Sequence, residues 1–351
     1  MATMRQLTFQ GAGKLDWLEV PDPTLTGDED ALVRPVAVAT CDLDPLIVRG
    51  ETPFGGPLPL GHECVAEVVD VADGVDGVRP GGLVSVPFQI SCGQCGRCRR
   101  GQTAHCESVP WQSAYGLPPH GGEWGGFLSD LVRVPYAEHM LVALPDGVDP
   151  VAAASVSDNI VDGWRTVAPH LAAEPEAAVL VVGGGGPGSI GLYAAGIAAA
   201  LGAPRVVYVD GDERRLRIAS ELGAETIADP DQHRLGHFPI TVDASADPAG
   251  LALAIRSTGS EGSCTSVGIY FQNEIPLPLF EAYVTGITFQ TGRVHARPAI
   301  PAAMELIASG RLHPELVTTR VAGWEEGPGA LAEGEFVKLV FAREAATIAT
   351  D

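Results

Sequence analysis

Four cysteines constrain this chain more than any other feature. Cys92, Cys95, Cys98 and Cys106 follow the pattern C-x2-C-x2-C-x7-C, in a segment studded with Gly93, Gly96, Arg97, Arg99, Arg100 and Gly101. Four thiolates satisfy a tetrahedral Zn²⁺, and a short glycine-containing loop can wrap around one ion. A tetrahedron filled by protein sulfur has no open coordination position, so this spacing predicts a structural zinc. Free thiols or two disulfides are the alternative, and neighbouring thiols at such spacing more commonly mark a metal.

The chain of 351 residues is long enough for about two domains, each with its own core. Its 46% hydrophobic content fits a folded globular protein. No apolar run reaches the ~20 residues of a membrane span, and MATMRQLTFQ at the N-terminus has no apolar signal core. With most of the seven cysteines in one metal-type cluster, these features point to the cytoplasm. The net charge of −22 argues against nucleic-acid and anionic-membrane partners.

Residues 1 to about 150 read as short strands between Gly- and Pro-rich turns: 31–38, 65–71, 83–88 and 131–135. After Pro150 the pattern changes. The apolar run 178–182 ends in GGGGPGSIG and leads into a helical stretch. The run 205–210 ends in an acid before the helical 213–224, and 240–245, 252–257, 264–269 and 287–292 continue the alternation. Alternating strands and helices predict an α/β fold with a doubly wound parallel sheet. Segments 317–321 and 336–341 return to β character and rejoin the first part.

The glycine turn holds G-x-G-x-x-G in two registers that the sequence does not separate: Gly183, Gly185 and Gly188, or Gly186, Gly188 and Gly191. Either brings backbone N–H groups close to a pyrophosphate at a helix N-terminus. Asp210 closes the next strand, where a carboxylate accepts ribose hydroxyls and repels a 2′-phosphate, so NAD is expected over NADP by tenfold to a hundredfold or more, about 1.5–3 kcal/mol for each hydrogen bond to a charged group. Arg214 and Arg215 lie nearby and read as solvated residues of a helix start.

Cys41, His62 and Asp158 form a candidate three-ligand set for a second, catalytic zinc with an open fourth position. Each also has an ordinary reading: a small core residue, a hydrogen-bonded loop histidine and a helix cap.

The chain resembles the zinc-dependent alcohol dehydrogenases of the medium-chain dehydrogenase/reductase superfamily over nearly its full length. The stretches that carry the resemblance are CDLD (41–44), PLGHECVAEVV (59–69), the cysteine loop, VSDNIVDGW (156–164), the glycine turn and RVVYVD (205–210). It implies a GroES-like catalytic domain of residues 1–155 and 293–351, and a Rossmann NAD-binding domain of residues 156–292. It also implies one catalytic and one structural zinc, hydride transfer between NAD(H) and an alcohol or carbonyl, and a homodimer or homotetramer. His62 becomes a zinc ligand, with Glu63 as its neighbour or exchange ligand. Asp158 stands where many members have cysteine and the formaldehyde-dehydrogenase-like branch has aspartate. Asp44 is expected to steady the zinc histidine and to meet Lys338, which is also a candidate pyrophosphate contact.

The sequence departs from the family at the proton relay. Leu43 and Leu46 replace its hydroxyl and histidine, and Asp162 stands at the usual threonine beside the nicotinamide. Small simple alcohols are therefore not the expected substrates. Asp162, then His295, are the candidate relay groups, and Phe54, Trp111, Tyr115 and Trp124 are candidates for an aromatic pocket wall. The other readings are a biosynthetic reductase of a larger carbonyl or imine, and a catalytically silent NAD-binding scaffold.

Overall fold

The computed structural model describes residues 2–228 and 233–343; the expected domain ends at Met1 and 344–351 lie outside them. The chain divides into two compact units. One comprises Met1–Asp158, His295–Ala308 and Thr318–Asp351, and the other Asn159–Val294 and Ser309–Val317. The segment Ser309–Val317 packs with the second unit.

The first unit is GroES-like. Its seven-stranded sheet runs in the order Arg320–Gly323, Leu339–Ala342, Ala31–Ala39, Glu63–Val71, Leu83–Val86 and Val142–Ala143, with Val132–Val134 also paired to Ala31–Ala39. Ala31–Ala39 alternates buried and half-buried positions, as expected of a strand with one face on the core. The core gathers Leu7, Val33, Val38, Ile47, Val68, Tyr115, Phe127 and Phe341 among others. A smaller sheet pairs Thr3–Gly11 with Lys14–Pro21 and with Leu58–Pro59. The first two of these strands lie outside the segments read as β from the sequence.

The C-terminal β segment joins this unit through its register. Val340 pairs with Ala39, and on the other side of the same strand Ala39 pairs with Glu63. That arrangement brings Lys338 and Glu63 to either side of one central strand.

The second unit is a Rossmann-like parallel sheet of six strands. Their order is Glu225–Ala228, Val206–Asp210, Val179–Val182, Phe238–Asp243, Thr258–Ser266 and Thr288–Thr291. Val179–Val182 is buried throughout, consistent with a sheet covered on both faces. The run 252–257 belongs to the helix Pro248–Ser257, which Asp247 caps through its side chain.

Candidate active site

Two clusters of metal-ligand side chains occur in the first unit among the described residues. Cys92, Cys95, Cys98 and Cys106 place their Sγ atoms within 4.8 Å of one another. The loop directs polar hydrogens at these sulfurs. Backbone N–H groups of Gln94 and Cys95 donate to Cys92 Sγ at 3.4 and 3.3 Å, Cys98 and Glu107 donate to Cys95 Sγ at 3.4 Å, and the Ser108 hydroxyl donates to Cys92 Sγ at 3.2 Å. Burial pushes the Cys95 thiol up, but the N–H donors of Glu107 and Cys98 outweigh it and bring the thiol down to about 6. Burial pushes the Cys98 and Cys106 thiols up instead, and the set of four sulfurs fits a closed tetrahedral zinc.

The second cluster contains Cys41, His62, Glu63 and Asp158, again with ligand atoms within 4.8 Å of one another. Cys41 follows the strand Ala31–Ala39 and is fixed by a local turn in which its N–H donates to Asp44 Oδ2 at 2.8 Å. His62 precedes the strand Glu63–Val71 and follows Gly61, whose φ is +90°. A Cβ at Gly61 would lie 2.7 Å from the Leu128 backbone nitrogen, so only glycine brings the chain into this position. Asp158 ends the 3-10 turn Ala154–Ser157, and Cys64 N–H donates to Ser157 Oγ at 2.8 Å, tying that turn to the strand beginning at Glu63. His62 Nε2 is 3.6 Å from Asp158 Oδ2 and its Nδ1 is 3.7 Å from Asp44 Oδ1, separations longer than hydrogen bonds. Burial pushes the Asp44 carboxyl up to about 7, against the pull of the Cys41 N–H and the Lys338 charge.

Glu63 differs from the other three. Lys338 Nζ donates to both of its carboxylate oxygens at 3.1 Å and also to the Thr40 carbonyl, and both side chains have 0% exposure. Lys338 therefore meets Glu63 directly, and its charge also acts on Asp44. With Glu63 held by an ammonium, Cys41, His62 and Asp158 remain as a three-donor set. Sulfur, imidazole and carboxylate suit Zn²⁺ with one position left for another ligand.

In the second unit the two glycine registers separate. A Cβ at Gly183 would lie 2.3 Å from Tyr208 Oη. A Cβ at Gly185, where φ is +58°, would lie 2.2 Å from the Ser245 carbonyl oxygen. Gly188, at φ +74°, caps the helix Ser189–Ala200. Gly183, Gly185 and Gly188 thus form the turn itself, with Gly186 between them, also at positive φ. Gly191 packs inside the helix against Ala244 and Tyr208. The turn and helix N-terminus can receive a pyrophosphate. Asp210 ends its strand as expected, but its carboxylate is occupied: Arg215 Nε and Nη2 each donate to it at 2.7 Å, Tyr208 Oη at 2.8 Å and Asp212 N–H at 2.9 Å. Arg215 is thus a partner of Asp210 rather than a solvated residue, which the sequence reading missed.

The other relay and pocket candidates have different placements. Asp162 lies in the helix Asn159–Ala173 and is ion-paired with Arg165, which also donates to the Gly292 carbonyl at 2.7 Å. His295 accepts from the Ala104 N–H at 3.2 Å and makes an edge contact with His105, which places it against the cysteine loop. Tyr115 is a core residue: its ring centroid is 4.6 Å from that of Phe127 and its hydroxyl donates to the Arg133 carbonyl. Phe54 and Trp124 pack on the same core, and Trp111 is 67% exposed. Leu43 is buried in that core.

Comparison with known proteins agrees with this geometry. Residues 27–146 match the alcohol dehydrogenase GroES-like domain, and residues 189–309 match the zinc-binding dehydrogenase family. A glutathione-independent formaldehyde dehydrogenase of Pseudomonas aeruginosa is 31% identical over 84% of this chain and 74% of that protein. A probable zinc-binding alcohol dehydrogenase of Mycobacterium tuberculosis is 29% identical over 92% of this chain and 83% of that protein. The solved structure of an alcohol dehydrogenase from Thermus sp. ATN1 superposes with a TM-score of 0.87 at 29% identity, covering 97% of this chain and all of that one. The chain belongs to the zinc-dependent alcohol dehydrogenase family of the medium-chain dehydrogenase/reductase superfamily, and is an oxidoreductase.

Proposed function

We propose that this oxidoreductase transfers a hydride between a nicotinamide dinucleotide, NAD(H) in the first instance, and an alcohol or carbonyl substrate larger than a simple small alcohol. The observation that carries the reading is the division of labour in the second cluster. Lys338 holds Glu63, and Cys41, His62 and Asp158 would hold a catalytic zinc. When bound, zinc supplies a Lewis acid for the substrate oxygen and the nicotinamide supplies the hydride acceptor or donor.

The chain's own residues prepare for that chemistry. A thiolate at Cys41, neutral His62 and the Asp158 carboxylate together balance the charge of a divalent ion, and the Glu63–Lys338 pair adds no net charge beside it. The glycine turn and the N-terminus of Ser189–Ala200 would bind the pyrophosphate through backbone N–H groups. The restriction on substrate rests on Leu43 and Leu46, whose hydrocarbon side chains carry no proton. A second copy of the chain is the partner we propose, and the edge strand Thr288–Thr291 supports that reading.

The test is nicotinamide absorbance with a panel of alcohols and carbonyls, run with wild type and Asp158→Ala. Turnover of bulkier substrates by wild type alone is expected. Equal turnover by Asp158→Ala would overturn the metal assignment, and preference for ethanol would overturn the substrate class.

A further inference from the structure

Asp158 ends one compact unit and Asn159 begins the other, so a metal-ligand side chain sits one peptide bond from the junction. Asn159 is also the first residue of the helix Asn159–Ala173. Its side chain has 0% exposure, and a buried amide must find its hydrogen-bond partners without water. One of them is Ser189, whose hydroxyl donates to Asn159 Oδ1 at 3.1 Å and which also has 0% exposure.

Ser189 is the first residue of the helix Ser189–Ala200, directly after the Gly188 cap. Its backbone belongs to the first turn, whose N–H groups have no intrahelical acceptor and serve an anion at the glycine turn. One turn further along, the two helices approach at backbone distance. A Cβ at Gly163 would lie 2.9 Å from the Ala194 nitrogen and 3.2 Å from the Tyr193 carbonyl carbon. Gly163 follows Asn159 by four residues and Tyr193 follows Ser189 by four, so on each helix the two positions share a face. The close approach at Gly163 pins the helices together, and the Ser189–Asn159 bond fixes how their first turns align. On its other side Asp158 is held by its own turn, where Cys64 N–H donates to Ser157 Oγ at 2.8 Å.

We propose that Asn159 is a positioning residue for Asp158, and that its hydrogen bond with Ser189 couples pyrophosphate binding at the glycine turn to metal binding by Cys41, His62 and Asp158. The inference rests on the reading of the turn as a dinucleotide site and of the three donors as a zinc site. A pyrophosphate bound by the first turn of Ser189–Ala200 orders Ser189. The buried bond passes that order to Asn159, and the peptide bond passes it to the Asp158 backbone. A carboxylate already held in one orientation loses less freedom when metal arrives, so each ligand favours the binding of the other. By linkage the factor is the same in both directions.

ADP-ribose is the probe, because it carries the pyrophosphate but no nicotinamide to reach the metal. Competition for zinc between the wild-type holoprotein and a chromophoric chelator is measured with and without it, and Asp158→Ala marks which zinc belongs to the three donors. ADP-ribose is expected to tighten that zinc by about fivefold or more, the lower end for coupled sites. Calorimetry should show ADP-ribose binding more weakly by the same factor once the chelator has removed that zinc. Ser189→Ala with Asn159→Leu replaces both buried polar groups by apolar ones, which a fold tolerates better than the loss of one partner. This variant should melt near wild type and bind each ligand singly, with a coupling factor of about one. Ser189→Ala alone, which barely changes volume, should show the same loss of coupling. A wild-type factor below about fivefold would overturn the proposal, as would folded variants that keep the wild-type factor, since packing at Gly163 would then suffice. Wild type that binds no ADP-ribose would overturn the dinucleotide site, and wild type with a single zinc would overturn the metal site. Binding of both ligands without coupling would overturn only the role of Asn159.

Discussion

The Lys338 ammonium stands 3.1 Å from both oxygens of the Glu63 carboxylate, with neither side chain exposed. Removing one partner of a buried pair leaves an uncompensated charge, which costs about 3–5 kcal/mol. Lys338→Met is therefore expected to lower the melting temperature strongly. Adding Glu63→Gln should recover part of the loss, because the orphaned charge is then gone. A Lys338→Met protein that melts with wild type would show that the pair contributes nothing to the fold.

Metal content follows from the two clusters. Purified protein is expected to carry about two zincs per chain by elemental analysis. Cys95→Ser should lower stability, since a structural zinc is coupled to folding. Asp158→Ala should lose one zinc and activity while keeping its melting behaviour close to wild type. Zinc-loaded wild type with a single ion per chain would exclude the three-donor site.

Asp162 is paired with Arg165, so the guanidinium occupies lone pairs that a relay would use. Loss of a general acid–base group typically lowers rate by about 10²–10⁴-fold. Asp162→Asn keeps the size and one hydrogen-bond acceptor for Arg165, and its rate is expected to fall by less than that range. A drop within the range, together with a changed pH profile, would restore Asp162 as the relay.

The Asp30 carboxylate supplies a pH test. Burial pushes it up, but the N–H groups of Thr26 and Gly27 and the Arg133 guanidinium hold it below its ordinary value. A lowered folded-state pKa contributes stability above the unfolded value, about 3.9, and loses it as pH falls through the folded value. Asp30→Asn should lose roughly 1.5–3 kcal/mol near neutrality, the range for hydrogen bonds to a charged group. In urea titrations the gap to wild type should narrow only below about pH 4. A gap that closes above pH 5 would show that Asp30 is not the group responsible.

The edge of the parallel sheet gives the last prediction. Thr288–Thr291 is exposed throughout, and Leu279, Phe280, Tyr283 and Val284 on the preceding helix are all more than half exposed, 66–82%. An edge strand and apolar face of this kind can be covered by their own counterparts about a two-fold axis. Light scattering should show a dimer or a multiple of it, and Phe280→Asp with Tyr283→Asp should shift it toward monomer. A monomeric wild type at micromolar concentration would exclude this surface.

Local chemistry was the legible part of the sequence. The cysteine spacing is short and its consequences stay within one loop, whereas His62 became a ligand only through the family resemblance. The partner of Lys338 was not legible, because Asp44 and Glu63 are both acids near the same ligand. The choice is made by register: Ala39 pairs with Val340 on one side and Glu63 on the other. Arg215 was missed for a related reason. A residue in the first turn of a helix is ordinarily solvated, but the helix Glu213–Glu221 begins so soon after the strand ending at Asp210 that its first turn folds back on that acid. Tyr115 offered the opposite error: an aromatic in a loop looks available to a pocket until Phe127 covers its ring.

The strand Leu339–Ala342 has one more consequence, for the order in which the protein can be made. Domains emerge from the ribosome N-terminus first. Cys41, His62, Glu63 and Asp158 are all synthesised well before Lys338. Throughout that interval the nascent first unit holds a carboxylate that it can bury only at a cost, while most of the second unit, 159–294, is made before Lys338. The first unit begins first and closes last, and the ammonium that pairs with Glu63 arrives just before the final described strand.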